Sequence, residues 1–167
     1  MKYSCKICSA RYLQDIRIDK DQRLSNVRLL YFFDDKAVLR ISDTVMHVRP
    51  RQVYLIPCRI PVEIEGENSR CYEAIVCIGK EKKAANVVML DEEQLRAIDL
   101  IDSKMKPWLA ISDSEHLYLV LINLLYELCT ESVYRAENIR NLVGLAISKI
   151  AENIERHNSY NSTSPIA

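Results

Sequence analysis

At 167 residues the chain is long enough for one domain with a core of its own, needing neither disulfides nor a metal to staple it. Its 23 Lys and Arg balance 23 Asp and Glu, so the formal charge is zero, without the basic excess that a free-standing nucleic-acid binder carries. No apolar run is long enough for a membrane-spanning helix, and "MKYSCKICSARYLQD" lacks the apolar stretch of a secretory signal. A cytoplasmic protein with reduced cysteines is expected, with no membrane partner.

Cys5 and Cys8 form a C-x-x-C, half of a zinc site or a redox pair by spacing. A zinc site needs four ligands, usually from a second pair, and Cys58, Cys71, Cys77 and Cys129 stand singly. "KYSCKICSARY" alternates like a strand, whereas a thioredoxin-type motif opens a helix. The cysteines therefore read as small buried hydrophobes, and neither a metal nor another cofactor is implied.

Residues 1–80 read as strands. "VRLLYFF" (27–33) is apolar on both faces, and "AVLRI" (37–41) follows it after "DDK", so the two read as a hairpin. "TVMHV" (44–48), "QVYLI" (52–56) and "VEIEG" (62–66) follow, the last with Val62 and Ile64 on one face and Glu63 and Glu65 on a solvated one. After "GENSR" comes another run, "CYEAIVCIG" (71–79). Many short strands at close spacing suggest a barrel or sandwich.

From about residue 91 the period becomes helical, and segregated strands and helices indicate an α+β fold. "DEEQLRAIDLID" opens with Asp91 as N-cap. "SDSEHLYLVLINLLYELCTE" predicts a second helix, capped by Ser112 or Ser114, with Leu117, Val120, Leu121, Leu124, Leu125 and Leu128 at helical spacing. "SVYRAENIRNLVGLAISKIAENIERH" predicts a third and longer helix, whose Ile139, Leu142, Val143, Ala146, Ile147, Ile150 and Ile154 form a broad apolar stripe. Residues 158–167, "NSYNSTSPIA", carry no period and read as a linker.

"VRLLYFFDDKAVLRISDTVMHVRPRQVYLIPCRIPVEIEG" resembles the N-terminal cupin-type regulatory domain of AraC-type transcription regulators. "VRPRQVYLIPCRIPV" keeps Pro50, the aliphatic strand 53–56, Pro57 and Pro61 of the family's proline-punctuated segment. The helical half resembles the antiparallel helix pair that follows the family's barrel. The resemblance spans about residues 23–167. It implies a cupin-like β-barrel or jelly roll followed by an antiparallel helix pair, together one domain over 1–157. The linker would then lead to two helix-turn-helix units that this chain lacks. The sequence departs from the family in having Asp35, Lys36 and Arg51 at turn positions often held by Gly, and Val62 where metal-binding cupins place a His. His47 stands alone in the β region, and one His makes no metal site.

A small barrel either fills its interior or holds one small ligand. Tyr31 and Phe33, with Leu39 and Ile41 on the next strand, are candidates for a pocket wall. Tyr54 and Tyr72 could supply hydroxyls there and Arg40 a charge; a packed core fits the aromatics equally well. The ligand-binding set is therefore Tyr31, Phe33, Tyr54 and Tyr72, for an effector of unread chemistry. A homodimer is expected through the long helix, with Ile139, Leu142, Val143, Ala146 and Ile150 as its seam, the alternative being that the whole stripe faces the chain's own core. No nucleophile–base–acid set is read, so a non-enzyme is expected. The module would sense an effector and control an attached DNA-binding domain, DNA being contacted only through that absent part. The competing reading is a metal-independent cupin enzyme of the sugar epimerase or isomerase type, which needs an acid and a base facing each other across a pocket.

Overall fold

In chain order the strands are β1 (Tyr3–Ile18), β2 (Val27–Phe32), β3 (Val38–Ile41), β4 (Thr44–His47), β5 (Gln52–Pro57), β6 (Val62–Lys80), β7 (Val87–Met89) and β8 (Leu109–Ser112). The helices are α1 (Glu92–Lys104), between β7 and β8, then α2 (Leu117–Cys129) and α3 (Arg135–Thr163). The structure is a computed structural model that describes residues 3–18, 27–80, 87–113 and 116–163.

All strand pairs are antiparallel, in the order β4-β3-β6-β2-β5-β8, with β1 along the other edge of β6 and β7 beyond β1. β6 is the axis of the sheet. Its first residues pair with β3 and its later ones with β2, while β1 follows it along nearly its whole length.

The bend that lets one strand serve both neighbours lies at a paired irregularity. Gln14 is opposite Arg70 and Ile16 opposite Gly66, so Asp15 faces three residues of β6. Asp15 and Asn68 both take positive φ, 54° and 57°, and the Asn68 N–H donates to Asp15 Oδ1 at 2.7 Å. Asp and Asn tolerate this conformation because their short side chains hydrogen-bond locally. Gly66 is required beside it, since a Cβ there would stand 3.0 Å from the Ala37 Cα. The bulge also resets the face of the strand: Ile64 and Cys71 are an odd number of residues apart yet share one cluster.

The sheet thus has two apolar faces. Inside the curl pack Leu30, Phe32, Leu39, Ile41, Tyr54, Ile56, Val62 and Ile64, joined by Trp108. On the other face Leu29, Tyr31, Val53, Leu55, Tyr72 and Ala74 lie beneath the helices, facing Leu117, Leu121 and Leu124 of α2 and the apolar stripe of α3.

Several expectations need correction. The segments 27–33 and 37–41 form no hairpin: β2 pairs with β5 and β6, and β3 with β4 and β6. Asp34 explains why, because its carboxylate accepts from Ser69 Oγ at 3.1 Å and the Arg70 N–H at 3.0 Å, tying the end of β2 to β6. "GENSR" does not separate two strands but lies within β6, as the bulge just described. β7 and β8, short and weakly patterned, have no counterpart in the sequence reading. α3 continues to Thr163, through the first part of the segment expected to be a linker, and no Gly or Pro interrupts that segment before Pro165.

α1 opens with the expected Asp91, in a reciprocal cap: Asp91 Oδ1 accepts from the Gln94 N–H at 2.8 Å, and Gln94 Oε1 from the Asp91 N–H at 3.0 Å. α2 is capped otherwise than expected. Ser112 ends β8 and Ser114 lies outside the described residues; Asp113 accepts from the N–H groups of Leu117 (2.9 Å) and Tyr118 (3.3 Å). The same buried carboxylate accepts the Tyr31 hydroxyl at 2.7 Å. Asp113→Ala is therefore expected to cost about 2–4 kcal/mol and Tyr31→Phe about 1–2 kcal/mol in urea unfolding, with the two effects less than additive because they share a partner. Burial, then the bond to Asp113, pushes the Tyr31 phenol above its ordinary value of about 10. A raised folded-state value means that this contribution is complete below about pH 10 and lost as pH rises beyond it, a loss that Tyr31→Phe removes.

Candidate ligand cavity between sheet and helices

A cavity of about 650 Å3 lies between the helix-side face of the sheet and the helices, within the range of small-molecule sites. Alternation builds its sheet wall: Cys5 and Ile7 from β1, Val27 and Leu29 from β2, and Tyr72, Ala74, Val76 and Ile78 from β6 reach the same side. Leu95, Ile98 and Ile101 line it from α1, three residues apart along the helix, and Met105 from its C-cap. Leu121 and Leu124 of α2 and Val143, Ala146, Ile147 and Ile150 of α3 complete the apolar wall.

Charged groups among the lining residues are few and exposed: Arg59, just after β5, and Asp99 and Asp102 on α1. Among the other lining residues, Tyr72 on β6 carries a hydroxyl. Tyr72 is fully buried, and its hydroxyl, without accessible surface, has no hydrogen-bond partner among the described residues. Burial, and secondarily Cys129, push its phenol well above the ordinary tyrosine value. Cys5 is likewise held as a neutral thiol, pushed up to about 12 by burial and then by Cys77 and Cys8.

The four side chains chosen from sequence divide. Tyr72 lines the cavity. Tyr31 and Phe33 lie on the same side of the sheet but outside the cavity lining, Tyr31 contacting Phe33 and Tyr118 and bonding Asp113. Tyr54 is on the opposite face, against Phe32 and Trp108 with its hydroxyl on Gln52, and burial pushes its phenol up to about 12. Leu39 and Ile41 pack inside the curl with it, and Arg40 is exposed beside Glu63 at 3.7 Å.

The seam residues of the long helix turn inward. Ile139, Val143, Ala146 and Ile150 are buried in the chain's own core, with Leu142 packed against it. The exposed apolar residues of the helices are different ones: Leu119, Ile122 and Tyr126 on α2 and Leu145 on α3. Among the cysteines, Cys5, Cys58 and Cys71 are buried as expected of small hydrophobes, but Cys8 and Cys129 are exposed. No group of three or more metal-ligating side chains is found among the described residues, and His47 is exposed at the end of β4. No helix among those residues is long and apolar enough to cross a membrane.

The apolar alternation of β1 and β6 and the spacing of α1 were legible signals for the cavity wall. Which faces would meet was not, because β1 pairs with a strand 62 residues away at Arg11–Glu73.

No family model and no curated protein sequence matches the chain. Solved structures do. ToxT from Vibrio cholerae with an unsaturated fatty acid bound is 8% identical, with a TM-score of 0.47 over 95% of this chain and 56% of that one. ToxT from Vibrio cholerae bound to (E)-4-(8-methylnaphthalen-1-yl)but-3-enoic acid is 9% identical, with a TM-score of 0.44 over 91% and 57%. The AraC-like transcriptional activator CuxR is 12% identical, with a TM-score of 0.41 over 99% and 62%. The chain thus spans a little over half the length of each of these proteins. Its structural neighbours are AraC-family regulators, and the similarity extends over about 90% of the chain.

Proposed function

We propose that the chain is the effector-binding regulatory part of a transcription regulator, taking up a small apolar molecule in the cavity between sheet and helices. The carrying observation is that α3 does two things at once. It lines the cavity with Val143, Ala146, Ile147 and Ile150, and it continues unbroken to Thr163. Anything that repositions that wall repositions the route towards the C-terminus, where the resemblance places a DNA-binding unit. A ligand shifts such an equilibrium only by its differential affinity for the two positions of the wall, and a cavity closed on one side by a helix supplies that difference. The rival enzyme reading needs an acid and a base facing across the pocket; the carboxylates of this cavity are both exposed, and on one helix, which favours the regulator.

The same reading includes a homodimer. With the predicted seam turned inward, we place the contact on the outer face of α2, where Leu119, Ile122 and Tyr126 stand exposed at spacings of three and four. An isologous two-fold contact is the commonest arrangement for such a stripe.

Filling the cavity tests its role. Ala146→Leu adds apolar volume where Ala146 borders the cavity, so it should cost no more than about 1–3 kcal/mol, the cost of overpacking. Nile red, an uncharged apolar dye, should bind the native chain saturably and the variant about tenfold more weakly in a fluorescence titration. Equal, saturable binding by both would place the dye elsewhere and remove the cavity as the effector site.

A further inference from the structure

We infer that α1 is a lid over the cavity, and that Arg59 latches it against Asp99 and Asp102 when an apolar molecule is inside. This rests on the cavity being the effector site and adds how that site is closed. What holds α1 in place is unevenly distributed along it. Only Ile101 of the helix is buried; Leu95 and Ile98, on the same inward row, are half-buried and border the cavity. Among the other elements, α1 packs chiefly against α3. Its first turn is seated there closely, since a Cβ at Gly144 would stand 2.8 Å from Gln94 Nε2. Gln94 has little freedom to swing aside, because its Oε1 accepts from the Asp91 N–H and completes the cap of α1. The start of the helix is thus fixed on α3, and its last two turns, Ile101 apart, overhang the cavity.

The charges sit where a latch needs them. Asp99 and Asp102 lie about one helical turn apart, both bordering the cavity. Arg59 borders the same space from the sheet side, on the turn after β5 in which the Ile60 N–H donates to the Pro57 carbonyl at 2.9 Å. That bond pins its backbone while its side chain stays exposed. Opposite charges on the two walls attract across the opening, yet no ion pair joins them here, so the lid stands open. An occupant that touches Leu95, Ile98 and Ile101 draws α1 inward, and that movement carries the carboxylates towards the guanidinium. Because α1 is seated at Gly144, closure also loads α3, the helix that runs on towards the C-terminus.

The test follows release of Nile red by stopped-flow dilution, since a latch acts on dissociation. From the native chain, release is expected to quicken about two- to fivefold between about 20 mM and 0.5 M NaCl, as screening weakens an exposed pair. Arg59→Asp should release the dye faster than the native chain at low salt. Adding Asp99→Arg and Asp102→Arg to that variant should restore slow release, because the pair re-forms with its signs exchanged. All three positions are exposed, so the fold tolerates the changes. Release independent of salt, or a triple variant that releases dye as fast as Arg59→Asp alone, removes the latch and leaves the cavity reading in place. A native chain that binds no Nile red saturably removes the cavity as a site, and the latch with it.

Discussion

Ile150→Glu is expected to abolish cooperative folding of the chain. Ile150 is buried in the wall shared by sheet and α3. Removing it forfeits about 1.5–3 kcal/mol of apolar burial, and the carboxylate that replaces it carries a desolvation penalty of several kcal/mol more, unless it protonates at a smaller cost. Together these approach the whole stability of a domain, about 5–15 kcal/mol. Ile122→Glu, on the exposed face of α2, is the contrasting case: stability should move by less than about 0.5 kcal/mol, and the proposed dimer should dissociate. Circular dichroism with sedimentation equilibrium at tens of micromolar separates the two. A folded, monomeric Ile150→Glu variant would return the dimer seam to α3, and a native chain that sediments as a monomer would dispose of the dimer.

Glu73→Ala is expected to cost about 3–5 kcal/mol, the range for breaking a buried ion pair by removing one partner. Glu73 sits on β6 with its carboxylate between two guanidinium groups, Arg11 Nε at 2.8 Å and Arg28 Nε at 3.5 Å. The two arginines are not equivalent. The Arg28 side chain is 3% exposed and that of Arg11 50%, so Arg11→Ala should cost no more than about 1 kcal/mol. Urea denaturation of the two variants measures the contrast; similar losses would mean that Arg11, not Arg28, carries the pairing energy.

Those charges show what was legible in the sequence and what was not. Arg28 and Glu73 interrupt apolar runs, a visible signal of buried pairing, but naming the partner requires knowing that β2 and β6 are neighbours. The α+β division, the helix start at Asp91 and the apolar faces of Val62–Ile64 and α3 follow from local periodicity, and the structure carries them. Strand pairing is non-local, so the 27–33 and 37–41 runs looked like a hairpin when each belongs beside β6. For the candidate site, sequence singled out Tyr72, which lines the cavity, and the stripe of the long helix, expected as a dimer seam but turned inward. It could not place Tyr54 on the far side of the sheet from Tyr72, because "VRLLYFF" and "QVYLI" are apolar on both faces and give alternation nothing to read. α2 hid its cap for a related reason: Asp113 acts from outside the helix, with His116 in a left-handed conformation between them.

The pairing of the first strand with the sixth has a consequence for how the chain is made. Tyr3 finds its partner at Lys80, so the 16 residues of β1 emerge from the ribosome long before anything exists for them to pair with. At about 5–20 residues per second, that interval lasts roughly four to sixteen seconds. Throughout it, β1 presents both rows of backbone donors and acceptors unpaired, in a segment that includes Cys5, Ile7, Leu13 and Ile16. β2 and β5 can meet earlier, since their partners are nearer in sequence. The nascent chain is therefore most prone to aggregate through its own N-terminus, and a chaperone that occupied residues 3–18 until Lys80 appeared would raise the folded yield without touching the finished domain.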